Sequence, residues 1–599
     1  MAWYDEAVFY HIYPLGLAGA PKQNDYGEPV HRLNTLLPWV DHIKEIGGSA
    51  LYIGPLFESV GHGYETTDYK KLDSRLGTNE DLTAFVAYCH EQGIKVIFDG
   101  VFNHTGRDFF AFKDIQANRE NSQYKDWYCN VNFWGNNEYN DGFSYDNWGG
   151  YNLLVKLNQK NPAVVDYICD VIRFWVSEFD VDGIRLDAAD VLDFDFMKAL
   201  RRTANEVKPD FWLMGEVIHG DYSRWVNGET LHSVTNYTLH KALYSGHNDH
   251  NYFEIAHTVR RLQNMGTLKL YNFVDNHDVE RIYTKLTNKA HFAPVHVLLY
   301  TLPGVPSIYY GSEFGIEGRK EYGSDDSLRP ALNIEDYKDS VKTNPCTALI
   351  AALGKVRQAV PALSYGSYDE LMLTNRQFAY ARDLDGTRVI VSVNNDDAPA
   401  GMHLAAGNCT AYIGALSGEK VSVQDGHINI TQPANSGEIW VPEGTDLDVK
   451  PVKVVTKTES EAKTNTEDKA ASETATDAKG NNEAEPKIES KESKDIVTAT
   501  ESADAKKNTT NTEKNISAAN EVKDSAKDAS AQAAADTPVD PETITVDWSK
   551  SPESMTVPEL QAAILAKLAG NGPVDAQMKK TVTDNIWHDS LVNWLKSFR

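Results

Sequence analysis

Four short apolar runs in this chain end in charged or hydrogen-bonding residues that a purely structural strand would not choose. DGVFNH carries Asp99, Asn103 and His104; GIRLD carries Arg185 and Asp187; FWLMGE ends on Glu216; and FVDNHD carries His277 and Asp278. Arg185 and Asp187 are two apart, so on a strand they face the same side, where the fixed guanidinium charge keeps the aspartate ionised and nucleophilic. Glu216 comes 29 residues after Asp187, one strand-plus-helix unit on, which brings the two carboxylates to neighbouring strand ends. A charged nucleophile beside a carboxyl that can hold a proton is the equipment of a glycosidase. A separation of about 5 Å would give a covalent glycosyl intermediate and net retention. Asp278 and the two histidines, His104 and His277, would hydrogen-bond ring hydroxyls more strongly as the sugar flattens toward an oxocarbenium-like transition state. Tyr64, in GHGYETTDY, supplies a flat face for a sugar ring. Taken singly, each carboxylate would read as a helix cap or an ion-pair partner; four such clusters on one rim favour catalysis.

The rim follows from the pattern of elements. Between residues 1 and 345 the runs VFYHIYP, ALYIGP, KVIFDG, GIRLD, FWLMGE, SVTNY, LYNFVDN and PSIYYG alternate with helical stretches. Eight such strands, each followed by a helix, predict an α/β fold of the (β/α)8 TIM-barrel type, whose active site forms at the C-terminal ends of the strands. The interval after the third strand, 104–155, is rich in Asn, Gly, Asp, Tyr and Trp and too long for an ordinary connection, so a small inserted domain is expected there. The barrel would then comprise 1–103 and 156–345, and the alternating pattern of FAYARDL, RVIVSVNN and EIWVP predicts a C-terminal antiparallel β-sandwich over 346–445.

Past residue 450 the character changes. From Pro451 to Asp540 there is no Phe, Trp or Tyr, and such a segment cannot bury enough apolar surface to offset the entropy of ordering it, so 451–540 reads as a disordered linker. Residues 548–599 regain aromatics; Pro558 can open a helix and Gly570 can end it, with Leu560, Ile564, Leu565 and Leu568 at helical spacing. This small helical appendage either packs on itself or on the main body, or docks a protein partner. The net charge of −28 would repel phosphate backbones and anionic lipid, so neither nucleic acid nor membrane is an expected partner. The N-terminus carries Asp5 and Glu6 in place of a cationic start with an apolar run, which predicts a cytoplasmic location, or an extracellular one if the native N-terminus is missing. The five cysteines have no C-x-x-C pair and are expected to be reduced and mostly buried. His247, His250 and His257 lack a credible zinc ligand set and are expected to contact substrate or cap helices.

With DGVFNH, GIRLD, Gly215–Glu216 and FVDNHD in that order, supported by GHGYETTDY and GVPSIYYGSE, residues 1 to about 445 closely resemble the α-amylase family of glycoside hydrolases. The resemblance implies Asp187 as nucleophile, Glu216 as general acid/base and Asp278 as transition-state stabiliser, with Tyr64, Asp99, His104, Arg185 and His277 holding the sugar at the cleavage point. Asp190 and Val191 stand where typical endo-acting members carry a Lys-His pair, and LVKLN, ending at Asn158, resembles the M-P-K-L-N signature of the neopullulanase and cyclomaltodextrinase branch. Asn103 matches a calcium ligand of many members, so the resemblance allows a structural calcium; the competing reading is an Asn that satisfies loop backbone groups. No other cofactor is expected. The implied function is retaining hydrolysis of α-1,4-linked maltodextrins, starch fragments or cyclodextrins. The alternatives are transfer of the same intermediate to a sugar acceptor, or a non-catalytic glucan-binding scaffold.

Overall fold

The computed structural model describes residues 2–452 apart from 267, 322, 323 and 450, and beyond them a helix at Val557–Ala569 with a few residues on either side. Eight parallel strands, β1 (Phe9–Ile12), β2 (Ala50–Ile53), β3 (Lys95–Gly100), β4 (Gly183–Leu186), β5 (Trp212–Gly215), β6 (Ser233–Val234), β7 (Tyr271–Phe273) and β8 (Val305–Tyr309), pair in the order 6-5-4-3-2-1-8-7. A parallel bridge between Thr235 and Tyr271 joins the two ends of that sheet and closes the barrel. Every expected strand is present.

Side-chain parity divides the barrel into two cores. Phe9, Ala50, Tyr52, Ile97, Trp212, Met214, Tyr271, Phe273 and Val305 form an inner cluster, whereas Tyr10, Leu51, Val96, Phe98, Ile184 and Leu213, one residue out of phase, pack outward against the helices. The interior leaves no room for a side chain at the start of β4. A Cβ on Gly183 would lie 2.6 Å from the Trp212 carbonyl oxygen and 2.9 Å from Ile97 Cγ2. The same inward parity carried two residues on from each strand gives Asp99, Arg185, Asp187 and Glu216, so the packing of the core fixes where the polar rim points.

Five helices begin where the sequence supplies a cap: Thr78, Asn161, Asp193, Asn236 and Asn344 each accept a backbone N–H from the first turn, with Pro162 and Pro345 at helix starts. One expected helix is missing. After β5 the chain forms a 3-10 turn at Tyr222–Arg224, because the stretch to β6 is short and broken by Asn227–Gly228; buried Trp225 fills the space against Phe194. The helix after β8 runs Pro345–Ala359, so the C-terminal strands begin at Ser367, later than the sequence pattern suggested.

The inserted segment pairs His104–Thr105 antiparallel with Lys156 and Val155. The C-terminal strands form a six-stranded antiparallel sheet and a two-stranded ribbon, Ala400–Ala405 with His427–Gln432, whose facing apolar residues, including Met402, Leu404, Ile428, Ile430 and Trp440, make one core. The expected 451–540 linker, apart from its first two residues, and most of the 548–599 tail lie outside the described residues. The helix expected at Pro558 is present, with Leu560, Ala563 and Ile564 buried in a cluster that includes Met555, Val582 and Leu595. No helix among the described residues is long and apolar enough to cross a membrane. All five cysteines are free thiols, but Cys129, Cys346 and Cys409 are only half-buried, because Cys129 and Cys409 lie in loops and Cys346 at a helix start.

His247 does not face a substrate site. It is fully buried, its Nδ1 bonded to the Leu243 carbonyl and its Nε2 to the Tyr252 hydroxyl, while His250 Nδ1 lies 3.4 Å from Asn395 of the C-terminal sheet. Burial drives the His247 pKa down from 6.5 to about 3. The stability it lends is complete above pH 6.5 and is lost as pH falls toward 3, because the unfolded chain takes the proton that the folded one excludes. His247→Gln should therefore flatten the fall in stability between pH 6.5 and 4, by on the order of 3 kcal/mol, and with it the fall in Tm; an unchanged pH slope in thermal melts would contradict it.

Two buried arginines secure the end of one barrel helix, Arg357 from the helix after β8 and Arg382 from the C-terminal sheet. Arg357 donates to the carbonyls of Tyr300 and Gly304 at 2.7 Å, and Arg382 donates to those of Thr301 and Gly366, together capping the helix Phe292–Thr301. Arg357→Met should strand these carbonyls, destabilise by about 2–4 kcal/mol and lower Tm by several degrees in calorimetry, while leaving activity per folded molecule intact.

Candidate active site

Asp99 of β3 and Arg185 of β4 are register partners, and Asp187 lies just past the end of β4. The Arg185 guanidinium, 3% exposed, is the hub of the rim. Its Nη1 donates to Asp99 Oδ1 at 2.9 Å and to Asp187 Oδ1 at 2.9 Å, and its Nη2 lies 3.1 Å from Glu216 Oε2. Burial works against this charge, but the surrounding Asp99, Tyr52 and Glu216 hold its pKa well above the ordinary value. Burial in turn raises the Asp99 carboxyl, opposed by Arg185 and by the hydrogen bonds from Arg185 and Tyr52.

Glu216 is fixed from two further directions. The Ala188 N–H donates to its Oε2 at 3.1 Å, and the Tyr237 hydroxyl reaches its Oε1 at 3.5 Å. Ala188 adopts φ 47°, ψ 42°, the left-handed region that L-residues other than Gly, Asn and Asp avoid. Strain of that kind persists only where surrounding structure over-determines it, here between Asp187 and Glu216.

Asp278 sits on a turn made by Asn276, whose side-chain oxygen accepts the N–H groups of Asp278 and Val279. Its carboxylate receives Arg329 Nη2 at 3.0 Å and lies 3.1 Å from His277 Nε2, while Arg329 Nε donates to the His277 carbonyl. The His277 ring lies between those of Tyr13 and Tyr64, each near-parallel at 5.8 Å. Burial lowers its pKa to about 3, so it is neutral at physiological pH. With the Tyr64 hydroxyl donating to Asp99 Oδ2 at 3.1 Å, the Tyr64 oxygen is left to accept from His277 Nε2. The polar groups thus close a circuit: Arg185, Asp99, Tyr64, His277, Asp278, Asn276, Tyr237, Glu216 and back to Arg185, with Asn276 Nδ2 on the Tyr237 hydroxyl.

The residues singled out by sequence, Tyr64, Asp99, Arg185, Asp187, Glu216, His277 and Asp278, therefore come together. His104 lies beside them, its Nε2 on the Tyr64 carbonyl and its Nδ1 on Asn103 Nδ2. Asn103 presents a buried Oδ1 without a hydrogen-bond partner, a donor atom of the type calcium prefers. Yet among the described residues no group of three or more His, Cys, Asp or Glu side chains could hold a metal ion, and Asn103 alone does not make a calcium centre. Sequence reasoning passed over Tyr237 and Asn276, although both lie in the runs that end β6 and β7 and Tyr237 shares the inward parity of Ser233 and Thr235. Arg329 carried no local signal: it comes from the loop after β8.

A family model described as the alpha amylase catalytic domain matches residues 32–355. The chain belongs to the alpha-amylase family. A cyclomaltodextrinase from a Bacillus species is 31% identical over 422 residues, covering 66% of this chain and 74% of that protein. Neopullulanase 2 from Thermoactinomyces vulgaris is 29% identical over 473 residues, covering 73% and 78%. A solved cyclomaltodextrinase structure superposes with a TM-score of 0.66 at 27% identity, over 73% of this chain and 78% of that one. As an alpha-amylase family member with relatives of this branch, the protein is a glycosidase.

The circuit depends on close contact between strands. A Cβ on Gly54 would lie 2.4 Å from Asp99 Cβ. Gly54→Ala should push Asp99 off Arg185 and reduce turnover at least tenfold, with a stability loss of about 1–3 kcal/mol. Gly401→Ala, where a Cβ meets nothing within 4 Å, is the control that should leave both unchanged. Equal rates in the two variants, measured on one substrate, would refute the coupling.

Proposed function

We propose that this protein is a retaining glycoside hydrolase of α-1,4-linked glucans, acting on maltodextrins, starch fragments or cyclodextrins. The observation that carries this reading is the single guanidinium of Arg185, which reaches Asp187 through one terminal nitrogen and Glu216 through the other, at 2.9 and 3.1 Å. Two carboxylates within the span of one guanidinium suit the short separation of retaining enzymes, about 5–5.5 Å, better than the wider gap of inverting ones.

In this mechanism Asp187 attacks the anomeric carbon while Glu216 gives its proton to the glycosidic oxygen, and the leaving chain departs. A covalent glycosyl-Asp187 ester remains. Glu216, now a carboxylate, takes a proton from water, which attacks the same carbon and releases Asp187. Asp278 and His277 face the ring hydroxyls and bind them more tightly as charge develops at the anomeric centre. Arg329 positions Asp278, and the closed circuit holds every group before substrate arrives, which limits reorganisation at the moment of reaction. The substrate class is supported by the cyclomaltodextrinase, maltogenic alpha-amylase and neopullulanase names of the relatives.

Asp187→Asn should abolish turnover of maltoheptaose and β-cyclodextrin, by roughly 10^4-fold or more, with a native circular dichroism spectrum. Glu216→Gln should keep far more activity on an aryl α-maltoside, whose leaving group needs little protonation, than on maltoheptaose. Equal losses on both substrates would point to a different acid, and undiminished rates for Asp187→Asn would exclude it as nucleophile.

A further inference from the structure

The inserted segment bears an aromatic and polar surface that the catalytic circuit does not use. Trp134 is 97% exposed, more than any other large apolar side chain among the described residues. The Asn132 side chain accepts the Trp134 N–H at 3.0 Å and so fixes the turn that presents the indole to solvent. Next to it, Phe133 lines a cleft of about 290 Å³ together with Lys125, Asp126, Tyr128, Asn130, Val131 and Asn158. That volume is at the small end of ligand pockets, enough for a short stretch of an oligomer.

The cleft is held in shape from behind. Tyr128 is buried with its hydroxyl on Thr105 Oγ1 at 2.9 Å, and Arg119 stacks on the Phe133 ring at 5.6 Å. Its outer polar groups are the Lys125 ammonium, which donates to the Glu120 carbonyl, and the acceptors of Asp126 and Asn130. The Asp126 carboxylate has no side-chain partner among the described residues, and Asn130 uses its Nδ2 on Asp146, which keeps its carbonyl oxygen for a ligand. Flat apolar rings beside hydroxyl-accepting oxygens suit a neutral polyhydroxylated chain, whose C–H faces stack while its hydroxyls donate. Lys125 and Asp126 offset one another locally, and the net charge of −28 disfavours a phosphate-bearing ligand. The cleft also adjoins the strand that carries His104: Tyr128 bridges Leu157, next to the Lys156 that pairs with His104.

We propose that this cleft, with Trp134, is a second α-glucan-binding site that engages long chains apart from the catalytic pocket; the choice of ligand rests on the function proposed above. The full-length protein and its Trp134→Ala and Asp126→Ala variants would be compared by electrophoretic retardation in amylose gels and by initial rates on maltotriose and on amylose. Because Trp134 is almost wholly in solvent, its replacement leaves folding intact. The expected result is loss of retardation and a roughly three- to tenfold rise in KM for amylose, the scale of one aromatic stacking contact, with kcat/KM for maltotriose unchanged. Unaltered retardation and unaltered KM for amylose in both variants would overturn the second site. A wild-type protein that is retarded through Trp134 yet cleaves neither sugar would instead overturn the proposed hydrolase while leaving the second site in place.

Discussion

A guanidinium buried among three carboxylates is the constraint around which this molecule is arranged. Arg185 would be costly to bury without partners, and Asp99, Asp187 and Glu216 would repel one another without it. Each solves the electrostatic problem of the others, but only if three successive barrel strands, β3, β4 and β5, hold their register. A slip of one residue would turn these side chains out among the helices. Stability and chemistry therefore draw on the same contacts, and the polar rim cannot be altered without disturbing the strand ends beneath it.

The barrel answers that demand through size complementarity. Trp212, Phe9 and Tyr271 pack together inside it, with ring centroids 5.0–6.3 Å apart, and fill its lower part, so the polar residues above them stand on a rigid floor. Small residues at Gly54 and Gly183 let neighbouring strands approach. The strained backbone at Ala188 is placed where an N–H has to reach Glu216, and the buried, neutral His277 is held between two tyrosines. Membership of the alpha-amylase family agrees with this geometry, and the inserted segment after β3 contributes His104 to its edge.

The C-terminal sandwich joins the barrel through Arg382, which with Arg357 of the helix after β8 satisfies helix-end carbonyls rather than carboxylates. Their pKa values fall to about 9 and about 10 through burial, so this junction carries little spare electrostatic stabilisation and relies on hydrogen bonds and apolar packing. The residues of that interface, His250 and Asn395 among them, have no part in the polar circuit of the rim.

What the sequence determined by itself was local and periodic. The eight apolar runs, their two-residue parity and the polar residues at their ends were sufficient to place Asp99, Arg185, Asp187 and Glu216 on one rim, because strand geometry turns spacing into direction. Capping residues mark the starts of five helices for the same reason. Tertiary structure alone decided what depends on contacts between distant segments: that Arg329, from the loop after β8, would hold Asp278; that Tyr237 and Asn276 would close the circuit; that Trp225 would take the place of a helix after β5; and that His247 would be buried against Leu243 and Tyr252 rather than face a sugar. No spacing rule could reveal these, since each is set by how loops pack across the barrel mouth, where distance in space is unrelated to distance along the chain.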